Sequence, residues 1–140
     1  MELQYGNEIG AEDYNKLREA VGWGAVEAEQ AEIGLRNSAL VVSCKEKGQT
    51  IACSRVIWDG GYVVYIADVI VLPDYQGKGI GREMMTRVMD YIRSQAKPGW
   101  RFMVTLLAAK GKEEFYKKFD FVERPNEDLG SGMCQWVEKK

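Results

Sequence analysis

The chain has 140 residues and a mass of 15.9 kDa, with 46% hydrophobic and 29% charged side chains. About 100–200 residues suit one domain, and this apolar content can bury a core without disulfide staples, so residues 1–140 read as a single domain. Nineteen basic against 21 acidic residues leave a formal charge of −2, which argues against a nucleic-acid partner, since such proteins carry a basic excess. There is no histidine, which removes Ser–His and Cys–His nucleophilic catalysis and every His-ligated metal site; no metal is expected. Cys44, Cys53 and Cys134 form no C-x-x-C pair and read as free thiols in a reducing cytosol. They are expected to act as small buried hydrophobes, none with the basic surroundings of a reactive thiolate. Met1-Glu2-Leu3-Gln4-Tyr5 has no basic segment followed by an apolar one. The longest apolar stretch, residues 62–72, contains Asp68 and falls short of the ~20 residues of a membrane span. The expectation is a soluble cytoplasmic protein with no membrane partner.

Taken in order, residues 11–21 place Tyr14, Leu17 and Val21 at helical spacing, and Gly22-Trp23-Gly24 stops that helix. A second helix is predicted over about 26–37, carrying Glu27, Glu29 and Glu32. The period then changes to that of strands. Residues 39–44 and 49–58 read as two strands joined by Lys45-Glu46-Lys47-Gly48. Asp59-Gly60-Gly61 marks a turn, and residues 62–72 form the third strand of a meander. That strand is apolar at nearly every position, as suits a mid-sheet strand covered on both faces, and Pro73 ends it. A long amphipathic helix follows over about 79–96, its apolar face made of Ile80, Met84, Met85, Val88, Met89 and Ile92. Residues 101–108 return to strand character, 112–119 form a short helix, Phe121-Val122-Glu123 begins another strand, and 133–137 reads as a last one. The fold class is α+β.

The most informative segment joins the central strand to the long helix: Leu72-Pro73-Asp74-Tyr75-Gln76-Gly77-Lys78-Gly79-Ile80-Gly81-Arg82. Glycines at alternate positions let the backbone approach a ligand and take positive φ. The helix start beyond them supplies unpaired N–H groups and a positive dipole end. Lys78 and Arg82 add charge, so the turn suits a phosphate. It is neither a Walker loop nor G-x-G-x-x-G, and on spacing alone it is equally a tight strand-to-helix turn that needs glycine for geometry.

Residues 66–81 resemble the acetyl-CoA motif of the GNAT superfamily of N-acetyltransferases, Q/R-x-x-G-x-G/A after a V-x-P-x-Y strand end, matched by Gln76, Gly79 and Gly81. A second family motif, F-Y-x-K-x-G-F, is similar to Phe115-Tyr116-Lys117-Lys118-Phe119-Asp120-Phe121. It departs only at Asp120, where glycine is usual and where Asp also tolerates a left-handed turn. The resemblance implies a mixed, mostly antiparallel sheet of about six to seven strands with helices on both faces. It also implies acetyl transfer from acetyl-CoA to a primary amine by direct attack in a ternary complex, without a metal. The CoA diphosphate is then expected on Gly77, Lys78, Gly79, Ile80, Gly81 and Arg82, with Gln76 in the motif. The pantetheine arm is expected along the main chain of Val69, Ile70 and Val71.

Tyr116 is the resemblance's general acid, protonating the departing thiolate; the bland alternative is a tyrosine packing on the helix rim. Asp68 is a carboxylate inside an apolar strand, and is either paired, at a bulge, or facing a cleft. By alternation it shares a face with Ile66, Ile70 and Leu72. The family often places an acidic group near here to take the amine's proton, so Asp68 is the candidate base; bonding to a neighbouring backbone or arginine is the structural alternative. Trp23 and Trp58 are candidates for an acceptor pocket, or are ordinary packing. The three glutamates of the second helix would attract a cationic amine, or form a solvated face. The polar loop 124–133 is a specificity candidate. The partner is a small-molecule or peptide amine, and the odd last strand offers an edge for a homodimer. A non-catalytic CoA- or nucleotide-binding module is the rival class, separable by ligand preference and turnover.

Overall fold

The computed structural model describes residues 1–139, which divide into two compact units, Met1–Leu106 and a second beginning at Leu107. The first unit contains β1 (Leu3–Gly6), α1 (Ala11–Ala20), α2 (Ala28–Arg36), β2 (Leu40–Glu46), β3 (Gln49–Trp58), β4 (Val63–Val71), α3 (Ile80–Gln95) and β5 (Met103–Leu106). Its sheet runs β1-β2-β3-β4-β5, antiparallel throughout except for the parallel β4–β5 pair. The α3 crossover produces that parallel pair, since a parallel connection must leave one end of the sheet and return to the other.

Helices cover both faces. On one, α3 buries Ile80, Met84, Met85, Val88 and Ile92, a stripe at the spacing of one helical face. Fully burying side chains of this size contributes about 1.5–3 kcal/mol each. On the other, Tyr14 and Leu17 of α1 and Ala31 of α2 close over Cys53 and Ile70, with Leu72 packed at the edge. The predicted elements of this unit all form, within two or three residues of their expected ends.

One irregularity organises the site. Cys53 pairs with Ile70 and Arg55 with Ala67, so the single residue Ser54 opposes two residues of β4, Asp68 and Val69. This is a β-bulge with the extra residue on β4, and Asp68 takes φ +58° there. The bulge inverts side-chain parity. Val56 lies beneath Tyr91 and Ile92 of α3, and its partner Ile66 shares that face. Ile70 instead faces α1 and α2. Asp68 therefore shares a face with Ile70 and Leu72 but not with Ile66, correcting the simple alternation.

The second unit carries α4 (Glu113–Lys117). The expected strand at 121–123 does not form. The N–H groups of Phe119, Asp120 and Phe121 all return to carbonyls of Tyr116 or Lys117, and Asp120 turns the chain at φ +69°. The Phe121 N–H, the first such group of the expected strand, is spent closing the helix. Asn126 then folds the loop by accepting from the N–H groups of Asp128 and Leu129 at 2.9 and 3.0 Å. Residues 133–137 also form no strand, and Met133, Trp136 and Val137 are exposed. The sheet thus has five strands among the described residues, not six or seven. Cys44 and Cys53 are buried as expected, whereas Cys134 is exposed, its segment forming no strand among the described residues.

Candidate active site

Two features of the first unit lie along β4. Beyond its end, Pro73–Tyr75 makes one 3-10 turn and the chain then enters the glycine turn. Gly77 and Gly79 take φ +76° and +86°, and a Cβ at either would meet no atom within 4 Å. Gly79 is the residue before α3, so the N–H groups of Ile80, Gly81 and Arg82 begin the helix without partners inside it. Gln76 donates from Nε2 to the Val71 carbonyl at 2.9 Å, fastening the turn to the strand end. Tyr75 donates to Glu46 Oε1 at 2.6 Å, and Lys78 lies over the Tyr75 ring, Nζ 5.6 Å from its centroid. Lys78 and Arg82 are both exposed beside the turn.

The second feature is an unpaired edge. β5 pairs with β4 only from Val63 to Ile66. From Ala67 to Val71, β4 is joined to β3 alone. Among the described residues, Val69, Ile70 and Val71 therefore present one side of their backbone to no strand, and that bare edge leads straight into the glycine turn. Backbone N–H and C=O groups left in this way are ready partners for an extended amide ligand.

At the bulge, Asp68 is paired. Its carboxylate accepts from Tyr14 Oη at 2.5 Å, Arg18 Nη1 at 3.2 Å and Arg55 Nε at 2.6 Å. Arg55 extends the cluster to α2 through the Gly34 carbonyl and Ser38 Oγ. Burial, then the Asp68 hydrogen bond, pushes the Tyr14 phenol up to about 12. Burial is the largest influence on Arg55 and opposes its charge, but the hydrogen bond to Asp68, the Asp68 charge and the nearby Tyr14 together outweigh it and raise the pKa. Sequence reasoning missed Tyr14, Arg18 and Arg55. The available signal was Arg55 itself: two opposite charges, each interrupting an apolar strand, with those strands consecutive in the meander.

The tryptophans separate. Trp23 stands on the α1–α2 connection, 41% exposed, with its ring against the Arg18 guanidinium at 5.7 Å. Trp58 lies on the α3 face with Val56, Val64, Tyr91 and Ile92; its indole N–H donates to Gly61 O and its ring meets Phe102 edge-on at 5.7 Å. They stand on opposite faces of the sheet, Trp23 beside α1 and Trp58 beside α3. Glu27 caps α2, accepting from Gln30 N at 3.0 Å, while Glu29 and Glu32 are exposed.

Within the second unit, Tyr116 is buried among aromatic rings: Phe115 at 5.0 Å and Phe121 at 6.3 Å, both edge-on. Phe115 and Phe119 also meet, at 5.6 Å. Burial pushes the Tyr116 phenol up to about 12, so it keeps its proton at neutral pH. Among the described residues no cluster of potential ligands could hold a metal ion, and no helix is long and apolar enough to cross a membrane.

The family model for the acetyltransferase (GNAT) domain matches residues 36–123, a span that includes the glycine turn, the bulge and the aromatic helix. The chain belongs to the GNAT acetyltransferases. An uncharacterized N-acetyltransferase, ycf52, from Pyropia yezoensis is 28% identical over 128 residues, 89% of this chain and 71% of that protein. A protein of unknown function from meticillin-resistant Staphylococcus aureus, described as a probable acetyltransferase, is 32% identical with a TM-score of 0.86, the match covering 96% of this chain and all of that one. A chloroplastic serotonin N-acetyltransferase of rice is 26% identical over 125 residues, 86% of this chain and 60% of that protein. This GNAT chain is therefore an acyltransferase with the family's mixed sheet.

Proposed function

We propose that this GNAT chain binds acetyl-CoA in the turn from Gly77 to Arg82, with Gln76 fixing the turn, and passes the acetyl group directly to a primary amine in a ternary complex. The observation that carries the proposal is the bare β4 edge, residues 67–71, running into the glycine turn. An elongated ligand with amides at one end and phosphates at the other matches both in order. The open N–H groups of Ile80, Gly81 and Arg82, with Lys78 and Arg82 nearby, favour the diphosphate. Main-chain groups of Val69, Ile70 and Val71 pair with the pantetheine amides, and N–H groups at the bulge polarise the thioester carbonyl. We take residues 1–140 as one catalytic domain.

Tyr116 is the proposed general acid for the CoA thiolate. A phenol near 12 is a weaker acid than free tyrosine, but the apolar surroundings that raise it disfavour a thiolate as well. The difference between the two, not either value alone, sets the cost of transfer. Asp68 is assigned to holding the bulge. Three donors already occupy its oxygens, so accepting a proton there would strip two guanidinium groups of their counter-charge, and the amine's proton leaves through water. Asp68→Asn separates this from a general-base role: a base gives the variant a changed acid limb in the pH–rate profile, a bulge anchor does not.

The first experiment is a thermal-shift panel with acetyl-CoA, CoA, ATP, GTP and NAD. Ligand at 100 times its dissociation constant adds about 2.7 kcal/mol. Stabilisation by acetyl-CoA and CoA alone supports the assignment; stabilisation by ATP or GTP instead, or by nothing, overturns it. An amine panel of serotonin, spermidine, glucosamine and a lysine peptide then identifies the acceptor class. Tyr116→Phe is expected to lower kcat by about 10²-fold or more while leaving acetyl-CoA affinity intact.

A further inference from the structure

The α1–α2 connection is tied to the bulge by one side chain. Arg18 donates from Nε to the Gly24 carbonyl at 2.9 Å and from Nη1 to Asp68 Oδ1 at 3.2 Å. Its own carbonyl accepts the N–H of Trp23 at 2.9 Å, and the Trp23 ring lies against its guanidinium. One end of the fork therefore holds the loop and the other holds the bulge. A guanidinium is planar and rigid, so a displacement of the loop must turn Nη1 relative to Asp68.

Both ends are places where the backbone can respond. Gly22 and Gly24 flank Trp23 at φ +82° and +77°, with open space where a Cβ would stand. Asp68 holds a left-handed conformation within a strand, one that aspartate tolerates better than most side chains. Its other donors, Tyr14 and Arg55, come from α1 and β3, both parts of the packed core, which leaves Arg18 as the member of the cluster that also holds the loop.

We propose that Arg18 is a positioning residue that couples the Trp23 loop to the β4 bulge, so that the loop carrying the acceptor-pocket candidate Trp23 and the backbone facing the thioester are set together. The inference rests on the acetyl-transfer assignment for its catalytic meaning, although the coupling itself is measurable without any substrate. In the coupled protein, Asp68 influences Trp23 through Arg18, with no contact between the two.

Amide hydrogen exchange on the full chain tests this. Asp68→Asn is expected to speed exchange at the Trp23 amide about tenfold relative to a buried β2 amide such as Val42, which reports global opening. In an Arg18→Lys background the loop exchanges fast already and Asp68→Asn adds nothing, because a lysine ammonium cannot hold both ends of the fork. Arg18→Met is expected to match Arg18→Lys, and the lysine variant decides the question should the methionine variant not fold. With the fastest amine of the panel, Arg18→Lys should raise the amine KM about tenfold and leave the acetyl-CoA Kd within about twofold. Unchanged Trp23 exchange in Asp68→Asn, or equal loosening at Trp23 and Val42, overturns the coupling. Amine KM and acetyl-CoA Kd rising together overturn the positioning role. Failure to bind acetyl-CoA at all overturns the acetyl-transfer assignment instead, and the exchange result still stands by itself.

Discussion

The glycine turn and the Asp68 bulge both depend on positive φ, and they use it in opposite ways. At Gly77 and Gly79 the left-handed backbone is free of strain and surrounded by empty space. At Asp68 it occurs on a residue with a side chain, inside a strand, and three donors hold the carboxylate in place. The left-handed region is less favourable for a residue with a side chain than for glycine, though aspartate tolerates it better than most, and charge-assisted hydrogen bonds can offset the remaining cost. The turn is shaped by what is missing, so its groups remain open to a ligand. The bulge is shaped by what is bound, so its side chains are committed to the fold.

The largest test of that contrast is Arg55→Met. Removing one partner of a buried ion pair costs about 3–5 kcal/mol, so the urea midpoint should fall sharply while the folded fraction retains its acetyl-CoA affinity. Gly79→Ala should do the reverse: acetyl-CoA affinity drops about tenfold, with a stability loss near ~1 kcal/mol from φ strain, since a Cβ there touches nothing. Comparing Asp68→Gly with Asp68→Ala isolates the strain, because both lose the carboxylate but only glycine takes φ +58° without cost. The glycine variant should be more stable by about 1 kcal/mol, and equal stabilities would show that the bulge relaxes once unfastened. The smallest effect is alkaline. Tyr5, Tyr14 and Tyr116 are all raised from 10.0 to about 12, so the folded state holds their protons more tightly than the unfolded chain. Their contribution is fully present below about pH 10 and is lost as pH rises towards about 12. Tyr14→Phe should flatten that decline, as read by unfolding at a series of pH values from about 9 to about 12.

Much of the first unit was legible because its elements carry strong periods. The α3 stripe and the unbroken apolar run of β4 specify a helix and a central strand almost without context. The glycine turn was legible because glycine at alternate positions has few other uses. The bulge was not: strict alternation placed Asp68 with Ile66, and only the register with β3 shows the extra residue. Nor does local sequence report which donors reach a carboxylate, and Tyr14 and Arg18 lie 54 and 50 residues from Asp68. The strands expected at 121–123 and 133–137 failed for a related reason. Their short apolar runs suit a strand, but a strand exists only where a neighbour takes its backbone groups.

The extra residue in β4 also sets where the chain tolerates a change of length. It acts as a frameshift in the side-chain pattern, so the strand is read in one frame up to Ile66 and in the other from Asp68 onward. Deleting Val69 would restore a single frame: Ile70 would still oppose Cys53 beneath α1 and α2, but Asp68 would turn to the α3 face opposite Ser54, away from Tyr14, Arg18 and Arg55. An insertion at Lys47-Gly48, in the β2–β3 hairpin, shifts no such frame. Two sites of equal exposure to copying error thus differ in what one lost or gained codon does to the core.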